Sequence, residues 1–119
     1  MLLGLSKPQD ISSRLRTEVD EGAVVISVLS YREVLLKSMK GKLAIDEPRV
    51  WWADALDKFA ATALPLRPEH VSAIRDLPPI HPDPFDRALM AQAMVEDLTL
   101  VTLDGAIAKY ASDRLRVLA

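Results

Sequence analysis

Ala23-Val24-Val25-Ile26-Ser27-Val28-Leu29 is a continuous run of mostly β-branched residues. A run of this kind, without polar alternation, is typical of a strand that is buried on both faces, as in a parallel sheet. Leu98-Thr99-Leu100-Val101-Thr102 has the same character near the other end of the chain, and further extended segments are predicted at 63–66 and 115–118. These segments predict the strands of one sheet.

Helical patterns lie between the predicted strands. Ser30 is a suitable N-cap, Glu33 follows it at capping-box spacing, and Gly41 is suited to end the helix near Met39. Proline or cap residues open most of the other predicted helices, which cover about 11–21, 48–59, 68–77, 85–96 and 104–111. Strands that alternate with helices predict βαβ units, and hence an α/β fold with a mostly parallel sheet.

The composition limits the class of protein. A chain of 119 residues, half of them hydrophobic, is expected to form one domain with a real core. The absence of cysteine excludes disulfide scaffolds, zinc–thiolate sites and cysteine nucleophiles. No apolar run approaches the roughly 18 residues that span a bilayer, so we expect a cytoplasmic protein without a membrane partner. The formal net charge of −2 argues against strong nonspecific binding to a polyanion.

Three acids follow predicted strands or open predicted helices. Asp104 comes directly after strand 98–102, Glu33 lies in the first turn after strand 23–29, and Asp86 follows a proline-rich loop. Ligands of parallel α/β sheets bind at the carboxyl ends of the strands, so these carboxylates could converge there. Oxygen ligands without cysteine favour Mg²⁺ or Mn²⁺. Such an ion activates water and neutralises charge on a phosphate during hydrolysis.

Each acid also has a purely structural interpretation. Glu33 can complete the capping box, and Asp86 can interact favourably with its helix dipole. Asp104 can form a turn with Gly105, and Asp83 is more simply explained as a loop or N-cap residue. The residues alone leave both interpretations open.

Basic residues form a second candidate set, because a phosphate backbone attracts lysine and arginine. The members are Arg32, Lys37, Lys40, Lys42 and Arg87. A solvated helix end explains the three lysines equally well.

Four stretches in order carry a family resemblance: Ile26 to Val34, Leu64 to His70, His81-Pro82-Asp83-Pro84-Phe85-Asp86-Arg87 with the helix to Ala93, and Leu100 to Asp104. Together they resemble the PIN-domain ribonucleases, and in particular the VapC toxins of bacterial toxin–antitoxin pairs. The resemblance covers nearly the whole chain. It implies a single PIN-like domain over 1–119, with a three-layer α/β/α architecture and a mostly parallel sheet.

By this resemblance Glu33, Asp86 and Asp104 fall on the metal-binding, catalytic acids of the family. Thr102 falls on a hydroxyl that helps to organise the site, and Asp83 has a supporting role. The implied activity is Mg²⁺- or Mn²⁺-dependent cleavage of RNA by metal-activated water. The implied partners are the RNA substrate, a small VapB-like antitoxin that occludes the site, and a second copy of the chain in a homodimer.

The chain departs from the family at its beginning. Family members begin with a central strand that ends in an aspartate, whereas this chain begins Met1-Leu2-Leu3-Gly4, and Asp10 is predicted to cap a helix. We therefore expect the first strand and its aspartate to be absent, through true loss, truncation or a start placed too late. The two strands on either side of the gap would then pair directly with each other, or the gap would be filled by a strand from a partner protein or by a strand exchanged between subunits. The alternative function is a catalytically impaired PIN-fold protein that only binds an antitoxin or RNA.

Overall fold

The computed structural model describes residues 1–3, 23–78, 83–101, 107, 110–112 and 114–118. Its strands are β1 (Leu2–Leu3), β2 (Val25–Ser27), β3 (Thr62–Leu64), β4 (Leu100–Val101) and β5 (Val117–Leu118). Its helices are α1 (Val28–Met39), α2 (Pro48–Lys58), α3 (Pro68–Ala73), which continues as a 3-10 segment (Ile74–Asp76), and α4 (Pro84–Val95). The helix predicted over 11–21 and the candidate site residues Thr102 and Asp104 lie outside the described residues.

The five strands form one parallel sheet in the order β3-β2-β1-β4-β5. Side chains alternate between its faces, because successive residues of a strand point in opposite directions. Along each central strand one residue therefore enters the first core cluster and the next enters the second: Leu2 then Leu3, Val25 then Ile26, and Leu100 then Val101. Both faces of the sheet are therefore covered along the central strands, as the β-branched runs predicted, whereas Thr62 and Ala63 of the edge strand β3 are exposed.

Helices cover both faces of the sheet. Leu89, Met90 and Ala93 of α4 belong to the first core cluster, whereas Ala55 of α2 belongs to the second and Trp52 packs against it. The architecture is therefore a three-layer α/β/α fold, and the predicted fold class is confirmed.

The expectation that the central strand is absent is wrong. β1 lies between β2 and β4, with Leu2 level with Val25 and Leu100. The Leu2 amide donates to the Thr99 carbonyl at 2.8 Å, and the Val25 amide donates to the Met1 carbonyl at 2.8 Å. Two fully apolar residues with partners on both sides are enough to fill this position, so β2 and β4 do not pair directly. The residue after β1 is Gly4, so the difference from the family pattern concerns the aspartate and not the strand.

Helix α1 begins about one turn earlier than predicted. Ser27, not Ser30, is its N-cap, and the Ser27 hydroxyl accepts a hydrogen bond from the Leu29 amide at 3.0 Å. Ser30 is fully buried within the helix. β2 is correspondingly short, because its last apolar residues become the first turn of the helix. None of the helices in the described segments is long and apolar enough to cross a membrane.

Candidate functional site

Glu33 lies in the second turn of α1, the helix that leaves the carboxyl end of β2. Because the N-cap is Ser27, Glu33 is not the third residue of the helix and does not complete a capping box. Its side chain is 23% exposed, and its Oε1 lies 4.0 Å from Lys37 Nζ. An ion pair at this spacing and distance adds little to helix stability. Glu33 is therefore not a capping residue of α1.

The first turn of α4 carries two more acids. Asp83 is its N-cap, and the Asp83 Oδ1 accepts from the amides of Phe85 at 2.9 Å and Asp86 at 3.3 Å. Pro84 occupies the first helical position, where its missing N–H costs nothing. Asp86 stands at the third position and is half-buried. A carboxylate so close to the helix N-terminus is favoured by the helix dipole, so both interpretations of Asp86 remain compatible with its position.

An open cleft of about 680 Å³ joins these elements. Leu29 and Leu66, which follow the carboxyl ends of β2 and β3, place the cleft at the edge of the sheet where ligands of parallel α/β folds bind. Its polar walls come from α1 and from the start of α4. The lining residues are Leu29, Arg32, Glu33, Leu66, Asp83, Pro84, Phe85 and Ala88.

The cleft brings Glu33 and Asp83 to one cavity, with the exposed Arg32 beside them. Asp86 is in the same helical turn as Asp83 but is not one of the lining residues. Asp83 was predicted to have only a supporting role, whereas the structure places it on the wall of the cleft. Its position as N-cap explains this, because an N-cap side chain lies at the very end of the helix that borders the cavity.

The donor chemistry here suits a hard divalent cation, since every candidate ligand is a carboxylate oxygen. Within the described residues, however, no group of three acidic, histidine or cysteine side chains is close enough to hold a metal. Asp104, the third predicted ligand, and Thr102 belong to a segment that the structure does not describe. The described part of the chain therefore contains no complete cation site, and its nearby carboxylates are Glu33 on α1 with Asp83 and Asp86 at the start of α4.

The predicted basic residues occupy different surroundings. Arg32 is exposed at the cleft, Lys37 lies beside Glu33, and Lys40 and Lys42 are exposed where α1 ends. Arg87 is half-buried and donates to three main-chain carbonyls, those of Ile74, Leu77 and Pro78. The guanidinium of Arg87 is thus engaged within the protein.

A polar cluster at the other end of α4 was not predicted as a feature of the fold. We call it the His70 cluster, and it comprises the fully buried His70 and Gln92 and the exposed Glu96. The His70 Nδ1 accepts from the Arg67 amide at 2.9 Å, which leaves the proton on Nε2 to donate to Glu96 Oε2 at 3.0 Å. The Gln92 amide donates to the Pro65 carbonyl at 3.3 Å.

Only part of this cluster has a local sequence signal. His70 is the third residue of α3, so its bond to the N-cap amide follows capping-box spacing. The contacts with Gln92 and Glu96 join residues 22 and 26 positions apart, and no local pattern indicates them.

The fold and the cleft define an α/β domain with acidic side chains at the carboxyl edge of a parallel sheet. The family profile of the PIN domain matches residues 2–113, and the chain belongs to the PIN domain family. The predicted membership is thereby confirmed.

One solved structure supports the same fold. In the crystal structure of VapBC2 from Rickettsia felis bound to a DNA fragment from their promoter, one chain is similar to this one with a TM-score of 0.70 and 15% sequence identity. The similarity covers 98% of this chain and 96% of that chain. The search of curated proteins finds no match.

Proposed function

We propose that the protein is a metal-dependent endoribonuclease toxin of the VapC type. The observation that carries the proposal is the cleft that is lined by both Glu33 and Asp83, next to the helical turn that holds Asp86. PIN domains are generally divalent-metal-dependent nucleases, and the carboxylates of Glu33 on α1 and Asp86 on α4 support such a site. The similarity to a chain of a VapBC complex supports the toxin assignment.

Glu33, Asp86 and Asp104 would hold Mg²⁺ or Mn²⁺. When bound, the ion would supply an activated water and neutralise charge on the scissile phosphate. Arg32, exposed beside Glu33, is placed to attract and orient the phosphate backbone. Asp83 holds the first turn of α4 through its two amide contacts, and Thr102 would help to orient Asp104. Lys37 in the last turn of α1, and Lys40 and Lys42 just beyond its end, would supply further positive charge.

The experiment is RNA cleavage by purified protein with Mg²⁺ or Mn²⁺, compared with Asp86→Asn and Asp104→Asn. Each substitution removes one charge and almost no volume. Asp57→Asn is the matched control, since Asp57 is exposed on α2. The proposal requires loss of cleavage in both site variants and full cleavage in the control. Full activity in both Asp86→Asn and Asp104→Asn would refute it.

A second candidate function is binding of an antitoxin or RNA without catalysis. Gly4 after β1 favours it, because this position carries an aspartate in the family pattern. Losing one anionic ligand weakens cation binding and misplaces the attacking water. Titration of Mn²⁺ distinguishes the two functions: tight stoichiometric binding with RNA turnover excludes the second, and RNA binding without either supports it.

A VapB-like antitoxin and a homodimer complete the proposal. Expression of the chain alone in bacteria should arrest growth, and Asp86→Asn should abolish the arrest. Light scattering of the purified protein should give twice the mass of one chain. Growth arrest that persists with Asp86→Asn would show that toxicity does not depend on cleavage. A mass equal to that of one chain would contradict the proposed homodimer.

A further inference from the structure

Arg87 makes the most extensive set of side-chain hydrogen bonds near the acids of α4. Its Nη1 donates to the Pro78 carbonyl at 2.6 Å, and its Nη2 donates to the carbonyls of Ile74 at 3.2 Å and Leu77 at 3.4 Å. These carbonyls belong to the 3-10 segment after α3 and to the residues that follow it. The Ile74 carbonyl also accepts from the Leu77 amide at 3.1 Å, whereas Leu77 and Pro78 lie beyond the last turn. A charged donor is a strong partner for carbonyls at a helix end.

The main chain of Arg87 is tied to the other side of the proline-rich stretch. Its amide donates to the Asp83 carbonyl at 3.1 Å, which closes the first turn of α4. The side chain thus holds residues 74–78, while the backbone holds the N-cap. One residue thereby sets the position of the first turn of α4, with Asp83 and Asp86, relative to the end of α3.

Packing of the two helices supports this arrangement. His70 at the start of α3 contacts Glu96 after the end of α4, whereas Ile74 after α3 contacts Arg87 at the start of α4. The helices therefore run antiparallel, and each end of the pair has its own polar connection. At the cleft end, Arg87 makes that connection.

The geometry requires a guanidinium. One side chain that donates from two nitrogens to three carbonyls matches the planar fork of arginine, which has five N–H donors. A lysine ammonium is a single point charge on a flexible stem and cannot reproduce two separate nitrogen donors.

We infer that Arg87 is a positioning residue that fixes the acidic turn of α4 against the end of α3, and that it does not contact the RNA backbone. The inference rests on the proposed function, because it assigns a role within the same site. It replaces the prediction that Arg87 contributes to RNA binding.

The test uses Arg87→Lys and Arg87→Gln in the full chain, with Arg75→Gln as the control that removes one exposed positive charge from the neighbouring 3-10 segment. Mn²⁺ affinity should fall about 10–100-fold in both Arg87 variants, as for the loss of a residue that orients a metal ligand. kcat should fall with little change in KM. Arg75→Gln should leave both unchanged.

Binding of an RNA oligonucleotide without metal separates positioning from phosphate contact. A lost phosphate contact reduces the slope of log affinity against log salt by about 0.7 for a single strand. The inference requires an unchanged slope in Arg87→Gln, measured in an Asp86→Asn background that cannot cleave. A reduced slope with wild-type Mn²⁺ affinity would overturn it.

If the wild-type protein neither cleaves nor binds RNA, that result overturns the proposed function but not the role of Arg87. Amide hydrogen exchange then tests the role of Arg87 directly. The amides of Phe85, Asp86 and Arg87 should exchange faster in Arg87→Lys than in the wild type, while those of β2 stay protected. Unchanged exchange at the start of α4 would overturn the inference. Arg87→Lys keeps the charge, and circular dichroism establishes that it is folded.

Discussion

The two ends of α4 carry polar residues with opposite surroundings. At its C-terminal end, His70 and Gln92 are completely buried, and their described hydrogen bonds go to the main chain, to each other and to Glu96. At its N-terminal end, Asp83 and Glu33 line an open cleft, and among the described residues Glu33 forms a long ion pair with Lys37 at 4.0 Å. Buried groups must be paired because desolvation is costly, whereas carboxylates in an open cleft stay hydrated and can bind a ligand. The comparison separates polar residues that hold the fold from those suited to chemistry.

The largest expected effect is on catalysis at the cleft end. Asp86→Asn should reduce kcat for RNA cleavage by at least about 100-fold, because it removes an anionic metal ligand, and even an outer partner of a ligand is worth 10–100-fold. The free energy of unfolding should change by less than about 1 kcal/mol, since the Asp86 side chain is only half-buried. Cleavage assays and urea unfolding measure the two quantities. A large loss of stability with an unchanged kcat would show that Asp86 stabilises the fold and does not take part in catalysis.

The opposite result is expected at the His70 cluster. His70→Leu leaves the Arg67 amide without its acceptor and Glu96 without its donor, and should lower the free energy of unfolding by about 1–3 kcal/mol. kcat per folded molecule should stay near the wild-type value. Glu69→Gln, at an exposed neighbouring position, is the control. If His70→Leu were as stable as the wild type, the His70 cluster would not be a stabilising feature.

A smaller change is expected at Gln92. Its Oε1 is buried with no hydrogen-bond partner, while its Nε2 donates to Pro65. Gln92→Leu removes a favourable bond and an unpaired acceptor together, so the free energy of unfolding should change by less than about 1 kcal/mol. Urea unfolding beside His70→Leu tests this. A loss of unfolding free energy as large as that of His70→Leu would mean that the hydrogen bond from Gln92 to Pro65 contributes most of the stability of the His70 cluster.

The smallest effect is expected at the Glu33–Lys37 pair. Glu33→Gln removes this ion pair at helical spacing and should change the free energy of unfolding by no more than about 0.5 kcal/mol. Thermal unfolding at low and high salt measures it. A shift well above this value would show that the Glu33–Lys37 pair contributes to the fold, which would weaken the assignment of Glu33 to the cleft.

Much of this arrangement follows from local sequence. The β-branched run before Leu29 predicted β2, and the apolar spacing after Phe85 predicted α4, which the structure gives as Pro84–Val95. The placement of Glu33 and Asp86 in helical turns near the sheet edge followed from the same patterns. The start of α1 was predicted one turn late, because Ser27 and Ser30 are equally good caps by residue type and only packing of Ser30 against the core distinguishes them.

The central strand and the His70 cluster depended on distant parts of the chain. Leu2 and Leu3 are too few residues for any periodicity, and they become a strand because β2 and β4 offer hydrogen bonds on both sides. His70 and Glu96 meet because α3 and α4 pack antiparallel. Capping, turn chemistry and alternation act between neighbours and can be seen in the sequence. Strand pairing, burial of a polar group and the convergence of Glu33 with Asp83 join residues far apart, and so they arise only when the sheet and its helices have assembled.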